Sequence, residues 1–334
     1  GPDWDEDGVN FNPALDFNDA SSENLEISSG IFGTDAINDL FVYAVFADDE
    51  DRNDKIFHES MASSRVVGAN CAWSDEDVIW DMGNQTNGQG RVRTNWGTDY
   101  GITHLWAFGS STVTGTPNGT KKYILRDNAV VNSGDPSTAN NATGNNQIFF
   151  LGSGINTAYL NGRIAEFIVY DGIPTETQED QIQTYLAVKY GITLAGEDYT
   201  HSDGSTVIWD YSANSAYHYD IAGIGADATS GLDQRISKSY NSDAIVTMCT
   251  EAIGTLNSGI STALTDDTYL LWGNNNSTTP AGDDLPSGYT GRLDKEWKVE
   301  MTGTVADVHV EFDLSGDAHI TLNGDAAGDF YLLI

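Results

Sequence analysis

Asp3, Asp5 and Asp7, followed by Gly8, have the D-x-D-x-D-G opening of a calcium-binding loop. In such a loop the carboxylates supply hard oxygen ligands and the glycine allows the sharp turn. The glutamate expected to close it is replaced by Ala14, so an acidic turn at a frayed terminus is the competing reading. A second acidic stretch, residues 48–55, carries Asp48, Asp49, Asp51 and Asp54. It would either gather around an oxygen-seeking cation or form a solvated hairpin tip. These seven aspartates are the candidate metal ligands, and calcium is the expected cofactor.

Sugars bind by laying an apolar face on an aromatic ring while carboxylates, amides and backbone groups take the hydroxyls. Trp96, Asp99 and Tyr100 lie together in a glycine-containing stretch, and Trp73 is followed by Asp75 and Asp77. Trp73, Trp96, Asp99 and Tyr100 are therefore the candidate ligand-binding residues, with core packing as the alternative for the tryptophans. Trp80 and Trp106 fall inside strand-like runs and are expected in the core.

Catalytic signatures are missing. No G-x-S-x-G elbow, H-E-x-x-H helix, phosphate-binding loop or E-x-D-x-x-E strand is present. Gly223, Gly225 and Ala228 match G-x-G-x-x-A, but no helical pattern follows them. The six histidines are scattered, and His218 with Asp220 is the one local pair. Glycoside hydrolysis needs two carboxylates flanking a sugar bond, but among 50 acidic residues a suitable pair can always be imagined. Residues 202–209 (SDGSTVIW) read as a turn leading into a strand.

The elements that must position these residues are short strands. Runs at 15–17, 25–27, 40–46, 78–82, 103–108, 121–126, 147–151, 269–272, 296–301 and 308–314 alternate with Gly/Asn/Ser/Thr turns. This spacing predicts sandwich architecture. Residues 132–146 read as a polar loop without a core signal. The clearest segment is 161–194. Residues 163–170 form a strand apolar on both faces, with Ile164, Ile168 and Tyr170 to one side and Ala165, Phe167 and Val169 to the other. Glu166 lies among them and calls for a partner, Arg163 or a backbone amide. Thr175 and Gln178 have capping-box spacing, Ile182, Tyr185, Leu186 and the stem of Lys189 form one helical stripe, and Gly191 sits where a left-handed cap is needed.

The sequence NGRIAEFIVYDG, followed by a helix ending in YLAVKYGITL, resembles the closing strand and helix of the laminin-G-like, concanavalin A-like modules of large bacterial (Bacteroidetes-type) surface or adhesin proteins. The similarity reaches residues 11–17 and 121–130, and residues 221–239 resemble the region that often follows such modules. The resemblance implies a β-sandwich (jelly roll), frequently calcium-bound and used for glycan or adhesive binding.

Composition narrows the partners. With 50 acidic and 15 basic residues the net charge is −35, which repels nucleic acid and anionic membrane. No apolar run is long enough to span a bilayer. Cys71 and Cys249, far apart, form no disulfide framework. Gly1-Pro2 has the form of a tag scar. The chain is thus expected to be all-β, with a laminin-G-like sandwich at 3–195, one helix after its last strand, and a second β-sandwich at 196–334. Its expected function is non-catalytic, extracellular, calcium-assisted binding of a glycan or another surface ligand, as a monomeric piece of a larger multidomain chain. A structural spacer and a polysaccharide-active hydrolase are the alternatives.

Overall fold

The computed structural model describes residues 1–313 except 51–52, 72, 74–75, 84–89, 114–118, 136–140, 155–156, 279, 282–284, 286 and 288–291. Strands dominate, and every paired strand is antiparallel. A seven-stranded sheet runs in spatial order Asp3–Val9, Asn12–Phe17, Gly162–Asp171, Asp39–Asp48, His104–Ser111, Lys122–Arg126, Ala129–Gly134. A six-stranded sheet runs Leu25–Ile27, Phe149–Leu151, Asp54–Met61, Arg65–Cys71, Asp77–Gly83, Arg91–Asn95. Their facing side chains, among them Phe46, Phe57, Trp80, Trp106 and Phe108, fill one core. The expected β-sandwich with one helix after its last strand is therefore present. The first strand begins at Asp3, so the amino-terminal end is ordered sheet and not a frayed turn. Ala142, in the stretch expected to be a polar loop without a core signal, is buried in this core.

The Gly162–Asp171 strand departs from simple alternation. Its register shifts between Ile164, opposite Phe46, and Glu166, opposite Val45. The extra residue, Ala165, makes a bulge, and a bulge swaps the faces that follow it. Ile164, Phe167 and Val169 consequently face the sandwich core, whereas Ala165 and Ile168 face the helix.

That helix, Glu176–Tyr190, starts and stops as its residues dictate. Thr175 and Gln178 form the reciprocal capping box, and Gly191 ends the helix at φ 65°. A side chain at 191 would meet the Lys238 carbonyl. The helix is buried on more than one side, including Gln183, Thr184, Leu186, Ala187, Val188 and Tyr190. It lies between two sheets. Phe41, Tyr43, Leu105 and Tyr123 on the outer face of the seven-stranded sheet share a core with Leu186, Tyr190, Trp209, Ile221, Leu232 and Leu271.

Beyond the helix, a four-stranded sheet (Leu232–Gln234, Tyr219–Asp227, Thr268–Asn274, Trp297–Thr302) packs against a three-stranded one (Ile236–Lys238, Val246–Cys249, His309–Phe312). Ala222, Ile224, Val246, Met248 and Trp272 fill that second sandwich. The amino-terminal hairpin reaches into it. Asn10 and Phe11 turn the hairpin with φ values of 47° and 62°, the type I′ pattern. Phe11 packs against the cluster of Ile236, Cys249 and Ile260, and its carbonyl accepts the Asn257 amide at 2.8 Å. Asn12 Nδ2 donates to the Lys189 carbonyl at 2.9 Å and to Gln234 Oε1 at 3.0 Å. Cys71 and Cys249 are both buried free thiols.

Candidate functional site

The aromatic candidates are brought together, but inward. Trp96 is 0% exposed, stacks on Trp106 at 5.2 Å and on Tyr100 at 6.3 Å, and packs tilted against Phe46 at 5.8 Å. Turn residues flank it, yet the amide of Trp96 binds the Glu76 carbonyl and draws the loop over the open end of the sandwich. It is therefore core, not a platform for a sugar. Tyr100 is half-buried beside it. Asp99 is partly exposed and committed to Arg126 Nη1 at 3.0 Å. Trp73 is half-buried, with its amide on the Asp77 carbonyl. Trp80 and Trp106 are buried as expected.

The metal candidates divide into two groups. Asp3, Asp5 and Asp7 lie along an extended strand paired with Asn12–Phe17, and a strand does not wrap carboxylates around an ion as a loop does. Asp48 and Asp54 end and begin two neighbouring strands, and both are buried. Asp48 Oδ1 accepts the Glu50 amide at 3.3 Å, and the buried carboxyl also meets the Cys71 thiol. Burial, and then the neighbouring Asp54 charge, push the Asp48 carboxyl up to about 8. Asp49 turns the other way, toward Arg163 at 4.0 Å. Asp51 lies outside the described residues. Asp48 and Asp54 thus bring two buried carboxylates together, where a calcium ion takes about six to eight oxygens.

Other polar groups that pattern alone leaves open are explained by partners. Glu166 projects to the helix side of the bulged strand. It accepts from Lys189 Nζ at 2.8 Å, Tyr190 Oη at 2.8 Å and Tyr185 Oη at 3.3 Å. Its partner is thus Lys189 and not Arg163, because the bulge turns Glu166 toward the helix. His218 accepts from Trp209 Nε1 at 3.0 Å and donates to the Leu194 carbonyl at 2.6 Å, while Asp220 binds asparagines instead.

Among the described residues, His201, Asp227 and Asp267 bring ligand-type atoms within 4.8 Å of one another. His201 Nδ1 accepts the Asp203 amide at 2.9 Å, so Nε2 carries the proton and donates to Asp267 at 3.2 Å. Asp227 accepts from Ser202, Thr229, Ser230 and Tyr269. Burial opposes its ionisation, but those bonds hold the carboxyl at about 2. Both ring nitrogens of His201 and both carboxylate oxygens of Asp227 have hydrogen bonds without an ion.

Sequence reading missed Trp4. It is 64% exposed on Asp3–Val9, the edge strand of the seven-stranded sheet. Leu25 and Ile27, on the edge strand of the facing sheet, are also exposed. A side chain at Gly1 would come within 4.0 Å of the Asn24 carbonyl, which places the two edges on the same side. No local signal separates Trp4 from a core tryptophan; its exposure follows from its place at a sheet edge.

A family model described as a domain of unknown function (DUF8202) matches residues 178–334, beginning inside the helix and covering all that follows. No curated protein matches the chain. Among solved structures it is similar to a native heptameric SAP-like pentraxin from Limulus polyphemus, with 14% identity over 46% of this chain and 72% of the pentraxin and a TM-score of 0.33. It is similar to domains LG4-5 of the mouse laminin α1 chain, with 16% identity over 44% of this chain and 40% of the laminin fragment and a TM-score of 0.30. It is also similar to the botulinum neurotoxin serotype G binding domain, with 10% identity over 90% of this chain and 66% of the toxin domain and a TM-score of 0.43. At these values the likenesses are of outline only. Among the described residues no helix is long and apolar enough to cross a membrane.

Proposed function

We propose that the chain is a non-catalytic, extracellular binding module, assisted by calcium, whose target is a glycan or another surface ligand. The observation that supports this reading is the exposed indole of Trp4 on a free sheet edge. A large aromatic ring left in water presents a stacking face for the apolar side of a sugar. The outward backbone groups of this edge strand have no strand partner among the described residues, so donors and acceptors for hydroxyls lie beside the ring. Asp48 and Asp54 would hold the calcium ion. A rigid structural spacer is the second reading, favoured by the core that the helix shares with both sheets.

The two readings separate on a glycan array probed in millimolar calcium and again in EDTA. Trp4→Ala is expected to weaken binding at least about tenfold, roughly 1.4 kcal/mol, and to leave the melting temperature unchanged, because so exposed a ring contributes little packing. A folded protein that binds nothing on the array in calcium would sink the binding reading and leave the spacer.

A further inference from the structure

We propose that Lys295 and Asp220 join in an intramolecular amide bond that staples the four-stranded sheet of the second sandwich. Both side chains are buried, 7% and 6% exposed. The Lys295 Nζ atom lies 3.6 Å from Asp220 Oδ2 and 3.6 Å from Asp243 Oδ2. A charge-assisted N–H···O bond closes to about 2.7–2.9 Å, so neither contact is a formed hydrogen bond. Lys295 makes no other hydrogen bond to a described residue. Asp220 is held by two amides. Oδ1 accepts Asn241 Nδ2 at 2.9 Å and Oδ2 accepts Asn274 Nδ2 at 2.6 Å. Asp220 is at φ 52°, in the left-handed region that aspartate tolerates better than most side chains.

The Lys295 ammonium sits between two carboxylates with no hydrogen bond to a described residue. The reaction begins when one Nζ proton passes to Asp220 Oδ2, which gives an amine beside a carboxylic acid, the two reactants of amide formation. The Nζ lone pair adds to Asp220 Cγ, and the carbonyl electron pair moves onto Oδ1, which the Asn241 amide stabilises as it would an oxyanion. Asp243 takes one proton from the new ammonium and returns it to the departing Oδ2 hydroxyl. The C–O bond breaks, the carbonyl re-forms, and water leaves past Asp243, which is 54% exposed. The balance is one ammonium and one carboxylate consumed, one amide and one water formed, with no further reagent.

The bond would tie the Tyr219–Asp227 strand to the segment entering Trp297–Thr302, across the intervening Thr268–Asn274 strand. Like a disulfide, it would remove loop-closure entropy from the unfolded chain. Intact-mass measurement of the denatured wild-type chain tests it without any variant. The expected mass is that of the sequence less one water, with a branched proteolytic peptide containing Lys295 and Asp220. Lys295→Arg is expected to restore the full mass. A full-length mass in the wild type overturns the proposal. So does loss of one ammonia, or a branch through any other pair of residues.

Discussion

Replacing Asp48 by asparagine is expected to raise the melting temperature at pH 8 in EDTA by roughly 3–8 °C, and to abolish any gain on adding calcium. The Asp48 carboxyl is raised from 3.8 to about 8, by burial first and by Asp54 second. A folded pKa above the unfolded one means that the group favours the folded state only while protonated. Its contribution is full below about pH 4 and is lost as pH rises through about 8. Each tenfold change in acidity is worth about 1.4 kcal/mol, so the ionised group costs the folded state several kcal/mol at pH 8. Asparagine carries no such charge, and its amide would donate to Asp54. At pH 4 the variant and the wild type should differ little. Calcium bound at Asp48 would offset the same cost in the wild type by mass action. Thermal melts at pH 4, 6 and 8, each with calcium and with EDTA, check all of this. A variant less stable than the wild type at pH 8 in EDTA would overturn the assignment. Glu179, raised to about 7 chiefly by burial, and Asp180, raised to about 6, act in the same sense as Asp48. His58, lowered to about 4 by burial, and Lys122, lowered to about 7, act in the opposite sense.

Leu186→Ala is expected to cost about 2–5 kcal/mol, the usual range for truncating a buried leucine, and to destabilise both β-sandwiches together. Leu186 is 0% exposed in the core that joins the outer face of the first sandwich to the second. The hairpin turn at Asn10 and Phe11 binds the second sandwich as well. The two sandwiches are therefore expected to unfold as one cooperative unit. Hydrogen exchange of the variant is the measurement: amides in Asp39–Asp48 and in Tyr219–Asp227 should lose protection by the same factor. Loss confined to the second sandwich would show that the two halves are independent.

Local pattern and tertiary structure divided the work along a physical line. The helix, its cap and its stop were legible because Thr175, Gln178 and Gly191 act within a few residues of one another. The strand runs were legible because apolar and β-branched residues cluster where a sheet buries them on both faces, as in Asp39–Asp48. The faces of Gly162–Asp171 were not, because one bulged residue, Ala165, inverts every position after it and announces itself only through the register of a neighbouring strand.

The candidate site shows the same division. Composition marked aspartates and tryptophans as the residues worth following, but it assigned them no environment. Trp96, among turn residues, went to the core, whereas Trp4, among acids at the chain start, stayed in water. Glu166 found Lys189, and Asp220 and Lys295 met with 74 residues between them in sequence. The sequence by itself determined the element types and the all-β class, since both rest on short-range periodicity and capping. Only the tertiary structure decided which side chains are exposed, buried or paired, because those properties depend on sheet edges, bulges and contacts between residues remote along the chain.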